Sequence, residues 1–341
     1  MGMRGRTGAA LRRGVLMGWM CIVLSAVAAD GLPPRSQWKA SSSATEAPAL
    51  ASAHAFDGDP ATRWGGPFSP GHWLQLDLGA AADLGGVRIQ WDVSHANAYQ
   101  LQASDDGQAW RTIYATTDSP GRTEYVLFPA VRTRYLRLAA PARTADWGVG
   151  IFEFQPLTVA QAPRIAGLAG TGDPAALWSR GPARALGRQQ GGYGLEVRFP
   201  QPQEVAGLQV DWGTTPASVA LEGRDASGRW APLAQEPHAF GASSYLAGDA
   251  PRTVSALRLL ARAGTAPSVT RVRVLGPQAV MTPMKRYQLA AAGPEAALFP
   301  SSLQMKQVYW TVVGVPAGRQ KAVFDEYGNL EASKGASLVR P

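Results

Sequence analysis

An acidic turn in the first third of the chain carries residues that could bind a metal ion. Asp57-Gly58-Asp59 places two carboxylates around a glycine, and Thr62 adds a hydroxyl and a carbonyl oxygen three residues further on. Calcium binds about six to eight oxygens, which carboxylates and local carbonyl groups can supply. The pattern is compatible with a calcium site but does not by itself specify one. The alternative is a metal-free turn in which both aspartates accept hydrogen bonds from backbone amides.

Patterns typical of catalysis do not occur in the sequence. The four histidines are scattered, and there is no phosphate-binding loop, nucleophile elbow or histidine-based metal motif. Asp325 and Glu326 are adjacent, so in a strand their side chains would point to opposite faces, which disfavours a paired acid–base site. The sequence predicts a protein that is not itself an enzyme.

The N-terminal residues have the pattern of a secretory signal. Arginines at 4, 6, 12 and 13 precede an apolar run over 15–29, and Ala26-Val27-Ala28 offers small residues to a signal peptidase. The apolar run is shorter than the roughly 20 residues that span a bilayer. We therefore predict a cleaved signal peptide at residues 1–29 and a periplasmic or extracellular protein. An uncleaved membrane anchor is the alternative.

Charge and cysteine content argue against a nucleic-acid-binding protein and against a disulfide-rich protein. The chain has 33 Lys and Arg against 25 Asp and Glu, but four of the arginines lie in the predicted signal. The remaining net charge is about +4 and the basic residues form no cluster, which disfavours nucleic acid as a partner. The single cysteine, Cys21, also lies in the predicted signal, so no disulfide framework is expected.

Apolar and polar residues alternate through most of the chain, as they do in half-buried β-strands. The alternation is clear over 73–78, 87–93, 99–103, 135–138 and 151–154. The connections contain turn residues, for example Asp105-Asp106-Gly107. Short strands at this spacing predict an antiparallel β-sandwich or barrel.

The same landmarks occur twice, about 120 residues apart. Trp91 corresponds to Trp212, and Leu136-Arg137-Leu138 corresponds to Leu257-Arg258-Leu259. The sequence thus predicts two homologous β-sandwiches at 36–157 and 160–277. In the remaining residues, 281–341, the apolar run at 307–314 predicts a strand, and 324–331 has the pattern of a strand, a turn and a second strand. They predict a β-rich and incomplete segment, the start of a further domain.

Several motifs of the first repeat together resemble a known family. Ala55-Phe56-Asp57-Gly58-Asp59-Pro60-Ala61-Thr62-Arg63-Trp64 is followed by Trp73-Leu74-Gln75-Leu76-Asp77-Leu78-Gly79 and by Ile151-Phe152-Glu153-Phe154. This stretch resembles a discoidin (coagulation factor 5/8 C-terminal type) domain, and most closely the bacterial family-32 carbohydrate-binding modules. The resemblance is strong over 40–156 and weaker over 170–276. It implies an all-β chain of two tandem antiparallel jelly-roll sandwiches, the second degenerate, with ligand-binding loops at one end.

The resemblance also implies a ligand set for a structural calcium ion. The set consists of the carbonyl of Phe56 and the side chains of Asp59, Thr62 and Glu153. In the second repeat Asp173 is retained, but alignment puts Ala176 at the place of Thr62 and Val274 at the place of Glu153. We therefore expect one calcium, in the first domain only.

Sugar recognition needs an aromatic platform and side chains that hydrogen-bond hydroxyl groups. Trp147, on the loop before the last strand, is the candidate platform, with the alternative that it packs in the core. The candidate polar contacts are His54, Arg63, His95 and Asn97. Each histidine could equally be a plain loop residue. The framework tryptophans 64, 73, 91 and 110 are expected in the core.

Three functional hypotheses follow. The leading one is an exported, non-catalytic carbohydrate-binding module that targets a polysaccharide or an attached enzyme. The second is the N-terminal part of a larger glycan-processing enzyme. The third is an adhesion or assembly module that binds a protein or a lipid surface. The third predicts exposed apolar side chains at the loop tips.

Overall fold

The computed structural model describes residues 31–142, 148–189, 191–239, 241–291, 311–314, 321–324 and 330–334. Antiparallel strands dominate, which confirms the all-β prediction. The predicted signal peptide, residues 1–29, lies outside the described residues. No helix of the described part is long and apolar enough to cross a membrane.

The first half of the chain forms seven strands, which we call the first sandwich. They are β1 (Lys39–Ser42), β2 (Trp64–Gly65), β3 (His72–Trp91), β4 (Ala98–Ser104), β5 (Arg111–Thr116), β6 (Thr123–Ala142) and β7 (Gly150–Thr158). Short 3-10 helices cover Arg35–Gln37, Pro48–Leu50 and Ser52–Ala55. The long strand β3 pairs with β1, β6 and β7, and β6 also pairs with β4. β5 pairs only with β4 among the described strands, and β2 pairs with β7.

The second half, which we call the second sandwich, has eight strands. They are β8 (Arg164–Ala166), β9 (Arg184–Ala185), β10 (Gly187–Gln189), β11 (Gly192–Thr214), β12 (Ser218–Arg224), β13 (Trp230–Glu236), β14 (Ser243–Arg262) and β15 (Ser268–Leu275). A 3-10 helix covers Pro174–Trp178. The long strand β11 pairs with β8, β10, β14 and β15, and β12 joins β13 to β14.

The pairing scheme of the first sandwich recurs in the second. β3, β6 and β7 correspond to β11, β14 and β15, because each long strand pairs with the other and with the last strand. The register agrees at the predicted landmarks: Leu74 faces Leu138, and Leu195 faces Leu259. This repetition supports the prediction of two copies of one domain with the stated boundaries, which stays a prediction.

Each sandwich buries its own apolar cluster. In the first, Trp64, Leu76, Ile89 and Phe154 are among the fully or nearly fully buried side chains. Alternate residues of each strand face this core, so the period-two pattern of the sequence becomes one buried face per strand. The second cluster is built from the corresponding positions, including Leu195 and Leu259.

Two of the four framework tryptophans do not lie in the core. Trp64 and Trp91 are buried, but Trp73 and Trp110 are half-buried. They lie on either side of Arg137, whose guanidinium carbon is 4.6 Å from the Trp73 ring centre and 3.9 Å from the Trp110 ring centre. The core prediction for these two was wrong, because cation–π contact holds the rings on the surface.

The two sandwiches share a packed interface. Tyr125 and Leu127 on β6 belong to the apolar cluster of the second sandwich, and Glu124 pairs with Leu275 of β15. The neighbouring residue, Val126, is buried in the first cluster instead. Successive residues of a strand point to opposite faces, so β6 contributes to both cores.

The C-terminal residues form a helix and a small sheet. Helix α1 covers Pro283–Ala291, and the Thr282 hydroxyl accepts a hydrogen bond from the backbone N–H of Lys285 at 3.0 Å. Thr-Pro is a helix-start signal that the sequence analysis missed. β16 (Thr311–Gly314), β17 (Lys321–Phe324) and β18 (Leu330–Lys334) form an antiparallel meander. Asp325 and Glu326 lie outside the described residues.

Candidate ligand-binding face and acidic turn

Three loops of the first sandwich meet at one end. The backbone N–H of Gly66 donates to the carbonyl of Val149 at 2.8 Å, and Gly150 N–H donates to the Ser94 carbonyl at 2.8 Å. The Ser94 hydroxyl donates to the Gly148 carbonyl. The loops that follow β2 and β3 and the loop that precedes β7 are thereby held together. We call this end the loop face.

An ion pair lies at the loop face. Arg63 Nε is 3.2 Å from Asp92 Oδ2, and both side chains are partly exposed. An added Cβ on Gly65 would lie 2.7 Å from Arg63 Nη1, and one on Gly150 would lie 3.2 Å from it. The guanidinium therefore rests on two glycines, where larger residues would displace it. Arg63 is a predicted ligand contact, and the structure places it beside Asp92, which the sequence analysis missed.

Two apolar side chains project from the tips of these loops. Phe68 is 54% exposed and Val93 is 82% exposed, and they are the only exposed large hydrophobic residues of the described part. Phe68 lies in a loop rich in glycine and proline, between β2 and β3. An aromatic residue in such a loop is the signal that could have identified it from sequence.

His95 and Asn97 lie on the loop between β3 and β4. The His95 ring is half-buried, 6.3 Å from the Trp91 ring, and its Nδ1 is 3.3 Å from the Val93 carbonyl. Asn97 is half-buried too, and its Oδ1 is buried without a hydrogen-bond partner among the described residues. The Asn97 carbonyl accepts a hydrogen bond at 3.0 Å from the backbone N–H of Ser119, in the loop after β5. The role of His95 and Asn97 in ligand binding stays a prediction.

The other two predicted ligand contacts are His54 and Trp147. His54 lies in the 3-10 helix Ser52–Ala55, which packs against β1, β2 and β7. Its Nδ1 is buried and so is not accessible to a ligand. Trp147 lies outside the described residues. The prediction of an aromatic platform at Trp147 therefore stays untested, whereas Phe68 is an exposed aromatic ring on an adjoining loop.

The acidic turn has the hydrogen bonds of a capped loop. Asp57 Oδ1 accepts from the N–H of Asp59 at 2.9 Å, and Asp59 Oδ1 accepts from the N–H of Ala61 at 2.9 Å. The Thr62 hydroxyl donates to Asp57 Oδ2 at 2.8 Å. Gly58, between the two aspartates, has a φ of +83°, a conformation that glycine adopts readily.

Glu153 on β7 lies behind this turn. Its side chain is only 9% exposed, and Oε1 is buried without a hydrogen-bond partner among the described residues. Burial raises the pKa of Glu153, while the Gly58 N–H and the Arg35 guanidinium act to lower it. A buried carboxylate oxygen without a partner is costly, and a bound cation would remove that cost.

The acidic turn and Glu153 offer oxygen ligands of the kind that a hard cation binds. The guanidinium of Arg35 competes with a cation for one of these oxygens. Arg35 Nη1 donates to the carbonyl of Phe56 at 3.2 Å, so a guanidinium already contacts one predicted ligand. No group of three or more His, Cys, Asp or Glu residues suited to a metal occurs in the described part. The predicted set has only two carboxylates, Asp59 and Glu153, with a carbonyl and a hydroxyl. These four residues would hold the ion.

The second sandwich retains the aspartate-capped turn, but it has no acidic residue at the position of Glu153. Asp173 Oδ1 accepts from the N–H of Ala175 at 2.9 Å, as Asp59 does from Ala61. Glu153 pairs with Gln90 on β3, and the corresponding position, Asp211 on β11, pairs with Arg271. The sequence alignment to Val274 was wrong, because the loop before β15 is shorter than the loop before β7. The residue in place of Glu153 is Arg271.

The first sandwich can now be compared with known proteins. Residues 37–154 match the family model described as the F5/8 type C domain. This part of the chain is an F5/8 type C domain. The match runs from before β1 into β7, and so contains the loop face and the acidic turn. The resemblance to the discoidin family is confirmed for the first sandwich. No curated protein matches the chain.

Among solved structures, carbohydrate-binding modules are similar to this F5/8 type C domain. Chitosan-binding module 2 of a Paenibacillus sp. IK-5 chitosanase/glucanase, solved with chitotriose, is 28% identical; 36% of this chain and 96% of the module are covered, with a TM-score of 0.34. A Clostridium perfringens module, CpGH89CBM32-5, solved with GalNAc-β-1,3-galactose, is 20% identical, covering 37% and 99%, with a TM-score of 0.33.

Proposed function

We propose that the first sandwich is a non-catalytic module that binds carbohydrate at its loop face. The observation that carries this proposal is the match of residues 37–154 to the F5/8 type C domain. The chemistry of the loop face is consistent with it. The Arg63–Asp92 pair supplies donors and acceptors for sugar hydroxyls, and the Phe68 ring offers an apolar surface for a sugar ring.

The wider setting is part of the same proposal. We propose an exported protein with a structural calcium in the acidic turn of the first sandwich and none in the second. The second sandwich serves as a packing partner for the first. The module targets a polysaccharide or an attached catalytic domain, and the alternative is that the chain is the N-terminal part of a glycan-processing enzyme.

The test is a glycan array followed by calorimetric titration of the hits, with chitotriose and GalNAc-β-1,3-galactose among the probes. Arg63→Ala should weaken binding about tenfold, since hydrogen bonds from a charged group contribute about 1.5–3 kcal/mol. Arg132→Ala is the matched control: Arg132 pairs with Asp83 at 3.0 Å near the middle of β3 and β6, away from the loop face. The proposal fails if no glycan binds, or if both variants bind like the wild type.

A second candidate function rests on the exposed loop tips. Phe68 and Val93 are the kind of apolar side chains that adhesion to a lipid or protein surface would use. Cosedimentation with anionic lipid vesicles tests the lipid case. Retention of the wild type, lost in Phe68→Ser/Val93→Ser and unchanged by free sugars, would favour adhesion. Loss of retention on adding a glycan hit would favour the carbohydrate function.

A further inference from the structure

A groove runs between the two sandwiches. It is a cavity of about 510 Å³. The first sandwich lines it with β4, β5 and the following loop, including Gln100, Thr117 and Asp118. The second sandwich contributes Ser179, Arg180 and Arg271. Cavities of this size accommodate small ligands, and junctions between domains are a common place for them.

Charges from both sandwiches meet at the groove. Arg271 donates to both carboxylate oxygens of Asp118, at 3.3 and 3.0 Å, and its Nε donates to Asp211 at 2.8 Å. Arg273 also donates to Asp118, at 2.7 Å. Arg180 donates to Asp211 at 2.9 Å. Three guanidinium groups therefore share two aspartates.

Of the three guanidinium groups, that of Arg180 is the accessible one. Its side chain is 71% exposed, whereas that of Asp211 is only 8% exposed. Arg180 has no other hydrogen-bond partner within the part of the chain that the structure describes. The buried Asp211 fixes one nitrogen of the guanidinium, and the remaining donors of this planar group are available to a ligand.

A third acidic side chain, that of Glu124, is buried near Arg273. It accepts hydrogen bonds from Trp91 Nε1 at 3.0 Å and from the Ser119 hydroxyl at 2.8 Å. Both oxygens of Asp118 accept hydrogen bonds from Arg271 and Arg273. The exposed Arg180 is therefore the group of this cluster that an added carboxylate can reach.

The rest of the lining combines the alanines and tyrosine rings of β4 and β5 with polar side chains from both sandwiches. Gln100 and Thr117 are exposed on the first sandwich, and Ser179 lies opposite them on the second. Amide and hydroxyl groups on both sides can hydrogen-bond sugar hydroxyls. The exposed guanidinium adds a site for one carboxylate, which it can contact through two parallel hydrogen bonds.

We propose that the groove between the sandwiches binds an acidic oligosaccharide, with Arg180 contacting a sugar carboxylate. The class of ligand rests on the proposed carbohydrate function, but neither Arg63 nor Phe68 of the loop face lines the groove. It depends on the second sandwich, because Arg180, Ser179 and Arg271 all come from it. The second sandwich would therefore take part in binding as well as in packing.

The test uses the full chain and tetragalacturonate as the probe, with its methyl ester as the uncharged control. Calorimetric titration at low salt should show binding of the acid, and binding of the ester at least about tenfold weaker. Arg180→Ala should reduce affinity for the acid about tenfold and leave affinity for the ester unchanged. Arg229→Ala is the matched control, since Arg229 is an exposed arginine paired with Asp225 outside the groove. It should change neither.

A blocking variant gives a second, independent reading. Thr117→Trp places a large side chain in the groove at an exposed position, where folding should tolerate it. It should abolish binding of the acid. The proposal is overturned if the acid and the ester bind equally, if neither binds, or if Arg180→Ala and Arg229→Ala behave alike.

The same variants separate this proposal from the carbohydrate function of the loop face. Acid binding that depends on Arg180 but not on Arg63 supports the groove, whether or not neutral glycans bind. Acid binding that depends on Arg63 and not on Arg180 assigns the ligand to the loop face and overturns the groove.

Discussion

At the scale of single residues, the turns at Asp59 and Asp173 differ in the side chain that lies behind them. Asp59 and Asp173 each cap the backbone two residues ahead, with the same geometry. Only the first turn has a buried glutamate with an unpartnered oxygen behind it. In the second, Arg271 stands at that position and is paired with aspartates. A cation is therefore expected at the first turn alone.

Calcium should stabilise the wild-type protein, and Asp59→Ala should remove this effect. At about 100-fold excess over its dissociation constant, a bound ion adds about 2.7 kcal/mol to the free energy of unfolding. Thermal unfolding with calcium and with chelator measures it. Asp173→Ala is the control: it should cost about 1 kcal/mol for the lost cap and keep the calcium response. If the wild type melts identically with and without calcium, the acidic turn does not bind the ion and is a metal-free capped turn.

Glu124 should make stability depend on pH. Its pKa is raised by burial, so the folded state binds more protons than the unfolded state above the ordinary carboxyl pKa of about 4.3. Its contribution to stability is then full at low pH and is lost as pH rises through the raised pKa. Urea unfolding at pH 4 and pH 8 should show Glu124→Gln gaining stability relative to the wild type at the higher pH. The exposed Glu46→Gln should show no such trend, and a constant difference for Glu124→Gln would refute the argument.

At the scale of elements, β6 joins two hydrophobic cores. Leu127 faces the second sandwich and Val126 the first, although they are neighbours in sequence. Both side chains are almost fully buried. The ion pairs from Asp118 to Arg271 and Arg273 lie beside this junction and couple the loop after β5 to β15.

Leu127→Ala should therefore uncouple the sandwiches, with a loss of about 2–5 kcal/mol from the cavity that it leaves. Calorimetry should show one unfolding transition for the wild type and two for this variant. Val126→Ala truncates the neighbouring residue inside the first core and should lower the melting temperature without splitting the transition. Identical profiles for the two variants would show that the junction does not couple the sandwiches.

At the scale of the whole molecule, the predicted signal accounts for half of the formal net charge of +8, because it holds four arginines and no acidic residue. Several of the remaining arginines are paired with acids, such as Arg63 with Asp92 and Arg258 with Glu222. Arg180 is paired with Asp211, but its side chain is 71% exposed, and this exposure is the reason for the functional proposal at the groove.

Expression in a bacterial host should yield a periplasmic protein without its first 29 residues, as intact mass would show. The basic start of a signal is needed for export, so Arg12→Glu/Arg13→Glu should retain the uncleaved chain in the cytoplasm. The exposed Arg229→Ala should be exported normally. A full-length mass in the membrane fraction would favour the anchor instead.

The sequence by itself determined the strand pattern, the family of the first sandwich and the turn at Asp57 and Asp59. These are local features: alternation within a strand fixes which face is buried, and a tight turn brings its own residues together. Tertiary structure decided the rest. Arg63 meets Asp92, and Arg180 meets Asp211, through loops and strands far apart in sequence. Trp73 and Trp110 lie outside the core, where both rings contact the guanidinium of Arg137. The strand pairing puts Arg271, and not Val274, at the position that Glu153 has in the first sandwich. A difference in loop length shifts a sequence alignment, whereas it does not change which residues pair between the strands.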